Sequence, residues 1–505
     1  MKLRTVAALL LAAVFPLAGI ASTTAQAEDM TEELTVATFN ASLNRTEAGM
    51  LQSDLATGDN EQAQNVAETI QRSGADIVLV NEFDYDAEGR SVELFHDNYL
   101  AVSQNGAPDA EYPYSWSGPV NTGVPSGFDL NNDGEVGGPD DALGFGFFPG
   151  QYGFVVYSKY PIADEDVRTF QNFLWKDMPG ALLPENADGT AWYSDEELDV
   201  MPLSSKTHAD IPVDVNGTTV HVLAAHPTPP SFDGEEKRNQ KRNSDEIRLW
   251  SDYVSQNADY LYDDNGVTGG LDEGANFVIV GDYNADPVDG DSWPGAIHQL
   301  LEHPLITDPQ PTSAGGAEAA ELQAGANSSH QADPALDTAD FNDDPAPGNL
   351  RVDYVLPSAT AEVVESGIFW PTRDDELVRL TGEYPFPTSD HRLVWATLTF
   401  PAPASETPTP TATEEPTAEP TAEPTAEPTG EPTAEPTTEP TNEETAEPTA
   451  SEVAATSEPT APTAVADTGS KLPATGASNV LPLGLAALTL AAAGAGVLIL
   501  RRKRA

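Results

Sequence analysis

Cysteine is absent from all 505 residues, which excludes disulfide staples, thiolate zinc sites and cysteine nucleophiles. Bases are scarce too: 23 Lys and Arg stand against 82 Asp and Glu, a formal net charge of −59. Proteins that grip nucleic acid through its phosphates carry a basic footprint, so a surface this acidic repels polyanions and slows their capture. With no covalent cross-links, the folded part depends on its core, and the roughly 370 residues between Glu28 and Phe400 suffice for one large domain. Long apolar runs occur only at the two ends.

At the first end, Lys2 and Arg4 precede the apolar run 6–20, and Ala25-Gln26-Ala27 offers a small-x-small cleavage site. Residues 1–27 therefore read as a secretory signal. At the other, residues 480–500 are long enough to span a bilayer and are followed by Arg501-Arg502-Lys503-Arg504, a tail that stays on the cytoplasmic side. Residues 401–470 repeat Glu-Pro-Thr-Ala and carry 15 acidic residues and no base, so most of the negative charge lies on the domain. Proline blocks helix and sheet there and glutamate prevents collapse, which predicts an extended, disordered stalk. Leu472-Pro473-Ala474-Thr475-Gly476, ahead of the apolar span and basic tail, resembles the LPxTG sorting signal of Gram-positive surface proteins. The resemblance implies transient membrane insertion through the C-terminal segment, cleavage between Thr475 and Gly476 by sortase, and covalent attachment to peptidoglycan. The protein is then extracellular and anchored to the cell wall. A plain C-terminal membrane anchor is the simpler alternative, and it also places the domain outside.

Within the domain, residues 34–39 read as a buried strand, 61–72 as an amphipathic helix and 76–80 as a second buried strand, a βαβ-like opening. Residues 154–158 continue the strands, and 211–215 with 218–224 bracket Asn216-Gly217, the strongest hairpin signal in the chain. A charged helix over 235–254 and strands at 277–280, 351–356, 362–369 and 393–400 follow. Mixed strand types with few helices predict an α/β fold, a two-sheet α/β sandwich and not a single doubly wound sheet. Residues 104–150 and 309–349, rich in Gly, Pro, Asp and Asn, read as insertions.

Gly281-Asp282-Tyr283-Asn284 closes the apolar run 277–280 and sets a carboxylate and an amide two residues apart, on one side of a strand end. In chain order it is accompanied by Thr38-Phe39-Asn40, Asn81-Glu82-Phe83, Ala225-His226-Pro227, Arg351-Val352-Asp353 and Ser389-Asp390-His391. Singly these are ordinary: Asn40 as a turn residue, Glu82 as a strand-end charge, His226 before proline as a loop histidine, Asp282 and Asn284 as an Asx turn, Asp353 as a partner for Arg351. Together, Asn40, Glu82, His226, Asp282, Asn284, Asp353, Asp390 and His391 resemble the endonuclease/exonuclease/phosphatase superfamily, of deoxyribonuclease-I-like fold, over residues 34–400. Residues 152–162 are similar to the family's strand and turn before the central hairpin.

The resemblance implies a divalent-metal-dependent phosphoesterase. Phosphate ester hydrolysis needs a cation on the phosphoryl oxygens, a base to direct water and a donor for developing charge. Asn40, Glu82 and Asp390 are the expected Mg²⁺ or Mn²⁺ ligands. Asp282 is expected to orient or deprotonate the water and Asn284 to donate to a phosphoryl oxygen. His226 and His391 are expected to contact phosphate or leaving group, with Asp353 holding the His391 tautomer. The substrate is expected to be DNA or RNA, nucleotides, or a small phosphate ester. The rival reading is a non-catalytic surface binding or adhesion module on the same fold.

Two further segments carry expectations. Residues 236–243 form the densest basic patch, which makes Arg238 or Arg242 a candidate clamp for a substrate phosphate, against the blander reading of a solvated helix face. Residues 129–140 fit a calcium-loop pattern, with Asp129, Asn131, Asp133, Glu135 and Asp140 as candidate Ca²⁺ ligands stapling an insertion that lacks disulfides. Gly144-Phe145-Gly146-Phe147-Phe148 makes a poor membrane-docking hairpin.

Overall fold

Strands β1 (Leu34–Asn40) and β2 (Ile77–Asn81) run parallel and in register, Val36 beside Ile77 and Asn40 beside Asn81. The crossover between them contains helix α1 (Glu61–Ser73), capped by the Asn60 side chain on Ala63 N at 3.0 Å and ended by Gly74 at φ +68°. The structure, a computed structural model, describes residues 32–401 apart from Gln256. The expected signal, stalk, Thr475–Gly476 cleavage point and apolar span lie outside the described residues. Among the described residues no helix is long and apolar enough to cross a membrane.

The remaining strands are β3 (Tyr114–Trp116), β4 (Phe154–Ser158), β5 (Arg168–Thr169), β6 (Ala209–Val215), β7 (Thr218–Ala225), β8 (Asn276–Asp282), β9 (Ala339–Asp340), β10 (Asn349–Leu350), β11 (Asp353–Pro357), β12 (Glu362–Ile368) and β13 (Val394–Thr399). One sheet has the order β12-β13-β1-β2-β4-β3 and the other β11-β8-β7-β6-β5, with β9 and β10 as a separate ribbon. The expected two-sheet α/β sandwich is the architecture observed.

Strand alternation explains the layering. Val36, Ile77, Leu79 and Val156 of the first sheet meet Ile211, Val213, Val222, Val278 and Val280 of the second in one buried cluster. The opposite faces are also buried. Ala37, Phe39, Val78 and Val80 pack on Val66 and Ile70 of α1. Leu223 and Ile279 pack on Ile247, Leu249 and Trp250 of helix α2 (Arg238–Tyr253). Strands buried on both faces read as continuous apolar runs, which is why they were visible in the sequence. Asn216 and Gly217 adopt φ +54° and +92° between β6 and β7, as a two-residue hairpin requires. Helix α2 starts three residues later than the expected 235, because Lys237 takes φ +56° and breaks the helical run. The supposed insertion 104–150 supplies edge strand β3, and 309–349 supplies helix α3 (Ala314–Gln323) and the β9–β10 ribbon.

His208, at the start of the second sheet, is buried and locked neutral. Its Nε2 lies 2.9 Å from the Glu246 carbonyl and its Nδ1 2.7 Å from Ser204 Oγ. Burial, against the pull of Glu246, pushes its pKa down to about 4. The unfolded chain protonates near the ordinary value of 6.5, so this group's stability contribution is complete above that pH and is lost as pH falls towards 4, by about 3 kcal/mol. His208→Gln, which keeps a donor for the Glu246 carbonyl, should flatten the fall in Tm between pH 6.5 and 4.5. Parallel Tm curves for the two proteins would refute this assignment.

Candidate active site

The topology gathers strand ends. Asn40 and Asn81 are neighbours at the carboxyl ends of β1 and β2, and Glu82 follows at φ +56°, a left-handed turn that ends the strand. Parallel β7 and β8 set Ala225 beside Gly281, so His226 and Asp282 emerge side by side. Antiparallel β11 pairs Asp353 with Asp282, and β13, pairing Val394 with Thr38, brings the 389–391 turn next to Asn40. Gly281 is required here: at φ +152°, a Cβ on it would sit 2.0 Å from the Ala225 carbonyl oxygen.

Asp282 is the hub, 1% exposed. Asn40 Nδ2 donates to its Oδ2 at 3.0 Å and Asn284 N to its Oδ1 at 2.9 Å. His226 Nε2 lies 3.4 Å and His391 Nε2 3.7 Å from the same Oδ2. His391 Nδ1 meets Asp353 Oδ2 at 2.9 Å, and Thr338 Oγ1 donates to that oxygen at 2.8 Å. Through His391 the ligand-capable atoms of Asp282, Asp353 and His391 come within 4.8 Å of one another.

The two histidines are driven to opposite charge states. Burial, reinforced by Lys206 and His391, holds the His226 pKa well below the ordinary range, so it is neutral. Burial opposes charging of His391 as well, yet Asp353, Asp282 and Asp390 outweigh it and hold its pKa well above the ordinary range. Burial, with Asp282 adding to it against the pull of His391, raises Asp353 to about 6. Two titratable groups pushed apart in one pocket is the arrangement acid/base chemistry uses.

The residues suit a divalent cation. Burial and the nearby Asp390 push the Glu82 pKa up to about 8, with His391 and Asn40 pulling against them. Its Oε2 is buried and has no hydrogen-bond partner. The unused Glu82 oxygen, the nearby Asp390 carboxylate and the Asn40 amide oxygen, which accepts from Ser42 N at 3.2 Å, are hard-oxygen donors of the chemical kind that suits Mg²⁺ or Mn²⁺.

Sequence reasoning missed several contributors. Lys206, 6% exposed, has no hydrogen bond or ion pair from its ammonium among the described residues; burial lowers its pKa, while Glu246, Glu82 and Asp282 pull the other way. Asn243 Nδ2 donates to the carbonyls of Thr228 and Tyr283, and Glu246 accepts from Ser205 N and Thr228 N, so α2 ties together the loops that carry Lys206, His226 and Asp282. Asp84, raised to about 7 by burial against its bonds from Arg45 and Tyr152, anchors the turn after Glu82. No spacing marks Ser205-Lys206-Thr207, although its place just before the hairpin strand was available as a signal.

Arg238 and Arg242 do not join the cluster. Arg242 is buried and donates to the carbonyls of Leu203, Leu143 and Pro202, so its guanidinium serves the fold and not a substrate. Arg238 reaches the Leu130 carbonyl at 3.3 Å and lies 4.0 Å from Asp140. The 129–140 loop is wound by its own side chains: Asp129 accepts from Asp133 N and Gly134 N, Asn131 from Asp133 N, and Asp133 from Glu135 N. Asp141, not the expected Asp140, closes it, accepting from Leu130 N and Gly137 N at 2.8 Å each.

The chain is similar in fold to an endonuclease/exonuclease/phosphatase protein from Beutenbergia cavernae (18% identity, 74% of this chain and 73% of that one, TM-score 0.40). It is also similar to a family protein from Leptotrichia buccalis (14%, 72% and 98%, TM-score 0.37) and a mannosyl-6-phosphatase from Bacteroides thetaiotaomicron (13%, 73% and 100%, TM-score 0.37). No curated protein matches it. The LPXTG cell wall anchor motif matches residues 464–505, which assigns the protein to sortase-mediated anchoring on a Gram-positive surface. The Endonuclease/Exonuclease/phosphatase family profile matches residues 37–391, a span holding every residue of the cluster from Asn40 to His391, and the chain belongs to that family of metal-dependent phosphoesterases.

Proposed function

We propose that this wall-anchored phosphoesterase hydrolyses small phosphate esters or nucleotides released outside the cell, by in-line attack of water. The observation that carries this reading is the Asp282 hub, a buried carboxylate between a neutral and a charged histidine, with the unpaired Lys206 ammonium in the same pocket. Asp282 orients the water and takes its proton as the new P–O bond forms. The imidazolium of His391, braced by Asp353, faces the phosphoryl group and supplies positive charge or a proton to the departing oxygen as the old P–O bond breaks. Lys206 and the Asn284 amide, now 3.2 Å from the Pro227 carbonyl, contact phosphoryl oxygens. Asn40, Glu82 and Asp390 would hold Mg²⁺ or Mn²⁺, which when bound would supply positive charge for the phosphoryl oxygens.

The acidic surface favours small esters over polymers, because the net charge of −59 works against capture of DNA or RNA. A nuclease of environmental nucleic acid is the second reading, supported by the family's name. An adhesion module has no use for a buried, incompletely bonded Glu82 beside Asp390. The deciding experiment is product release from plasmid DNA, RNA, nucleotides, inositol phosphates and a chromogenic phosphodiester with Mg²⁺, Mn²⁺ or EDTA. EDTA-sensitive turnover of small esters supports the proposal. Turnover of nucleic acid alone replaces it with the nuclease reading, and silence across the panel favours the binding module.

The 129–141 loop is a weak structural Ca²⁺ site in this proposal. Asp129→Ala, which strips the acceptor of Asp133 N and Gly134 N, should lower Tm in millimolar calcium by about 2 to 4 °C. A melting curve that is identical with and without calcium would refute it.

A further inference from the structure

A pocket of about 410 Å³, partly open to solvent, is lined by Asp289, Glu321, Asn327, Ser328, His330 and Asp337 together with alanines and Pro334. No lysine or arginine lines it. Its deepest carboxylate is Asp337, 3% exposed, which accepts no hydrogen bond and pairs with no cation among the described residues. Burial, with Asp286, Asp289 and Asp333 nearby, pushes the Asp337 carboxyl up to about 8. A carboxylate buried without partners is costly, and a cluster of like charges makes it more so. Glu321 is exposed at the pocket's edge, while the half-buried Asp289 accepts from Gln331 N and Ala332 N.

We propose that this cavity binds one hydrated Ca²⁺ ion, with Asp337 and Asp289 as its carboxylate ligands and Glu321 at the rim. The donors are almost all oxygen, the choice of a hard cation. The space exceeds the roughly 30 Å³ share of one water many times, so the ion keeps part of its water shell. That matches the protein atoms, which at this site do not bring three ligand groups within 4.8 Å as the catalytic trio does.

The position gives the ion a purpose. Asp289 lies on the segment that leaves β8 just after Asp282, and Asp337 precedes Thr338, whose hydroxyl holds Asp353 and receives Val352 N at 2.9 Å. The Thr338 carbonyl in turn accepts from Arg392 N at 2.7 Å, next to His391. A cation shared by Asp289 and Asp337 cross-links the segment carrying the hub to the one that braces Asp353 and His391, in a domain with no disulfide to do so. This positioning effect on catalysis rests on the phosphoesterase reading; the binding site does not.

Calcium uptake by the full-length protein, measured by equilibrium dialysis and by Tm with CaCl₂ or EDTA, tests the proposal. The parent should bind at this site with Kd on the order of 10⁻⁴ to 10⁻³ M and gain about 0.5 to 2 °C in Tm at millimolar calcium. Asp337→Asn, nearly isosteric and free of the buried charge, should melt no lower than the parent in EDTA yet take up one Ca²⁺ fewer per chain. Glu321→Gln should weaken uptake several-fold. Asp129→Asn, in the other loop, should leave this site's share intact. Uptake and Tm response in Asp337→Asn equal to the parent's would overturn the inference. Lost uptake in a protein that hydrolyses nothing would uphold it while sinking the phosphoesterase reading.

Discussion

Asp282→Asn should leave a folded protein with kcat lowered by about 10³-fold, within the range general acid–base groups contribute. The substitution is nearly isosteric, and its carbonyl oxygen can still accept from Asn284 N, which now bonds Oδ1 at 2.9 Å. What it removes is the anionic oxygen that Asn40, His226 and His391 surround. Asp282→Ala should abolish turnover too, at a further cost of about 1 to 3 kcal/mol for the buried donors it strands. Turnover, far-UV circular dichroism and Tm of both variants check this. Near-parental kcat in either variant would move the base to another residue.

Lys206→Met should lower kcat/KM by about 10² to 10³-fold, the loss seen when one preorganised charge-stabilising group is removed from an active site. The physical ground is the state of Lys206: a buried residue whose ammonium has no hydrogen bond among the described residues, with Glu82, Glu246 and Asp282 at a distance. An ammonium left unbonded near these carboxylates and beside the two histidines is free to meet an anion. Inorganic phosphate, a product, should bind the variant about 10 to 100-fold more weakly, the worth of one charge-assisted hydrogen bond. Calorimetric titration with phosphate separates this from chemistry, since a lysine serving only the fold would change Tm and leave phosphate affinity alone. Unaltered phosphate binding and kcat/KM in Lys206→Met would remove it from the site.

The sheets and the cluster were legible because both obey short-range rules. Strands buried on two faces are apolar runs, and the residues of the cluster sit where those runs stop, so 277–280 announced both β8 and Asp282. Lys206 was not legible because it precedes a strand and reaches the cluster only through tertiary packing by Asn243 and Glu246 on α2. The same helix misled the reading of its first turns. A dense basic stretch looked like an anion clamp, whereas burial turned Arg242 towards three carbonyls. Composition could not separate a guanidinium that faces solvent from one that satisfies backbone acceptors. The loop rich in Asp and Gly showed its turn chemistry but not its closing residue, since Asp140 and Asp141 are equivalent until the chain's direction past Pro139 is known.

The pairing of β1 with β13 has a consequence for the life of the molecule. Asn40 and His391 are drawn together by a ladder between the first and the last strand of the domain. A chain that leaves the cell amino end first delivers Asn40, Glu82, His226 and Asp282 to the outside while Asp390 and His391 are still in transit. In the finished sheet β13 lies between β12 and β1, so without it β1 has no partner on that side. Under the roles proposed for these residues, the site cannot be complete before the last strand has paired with the first.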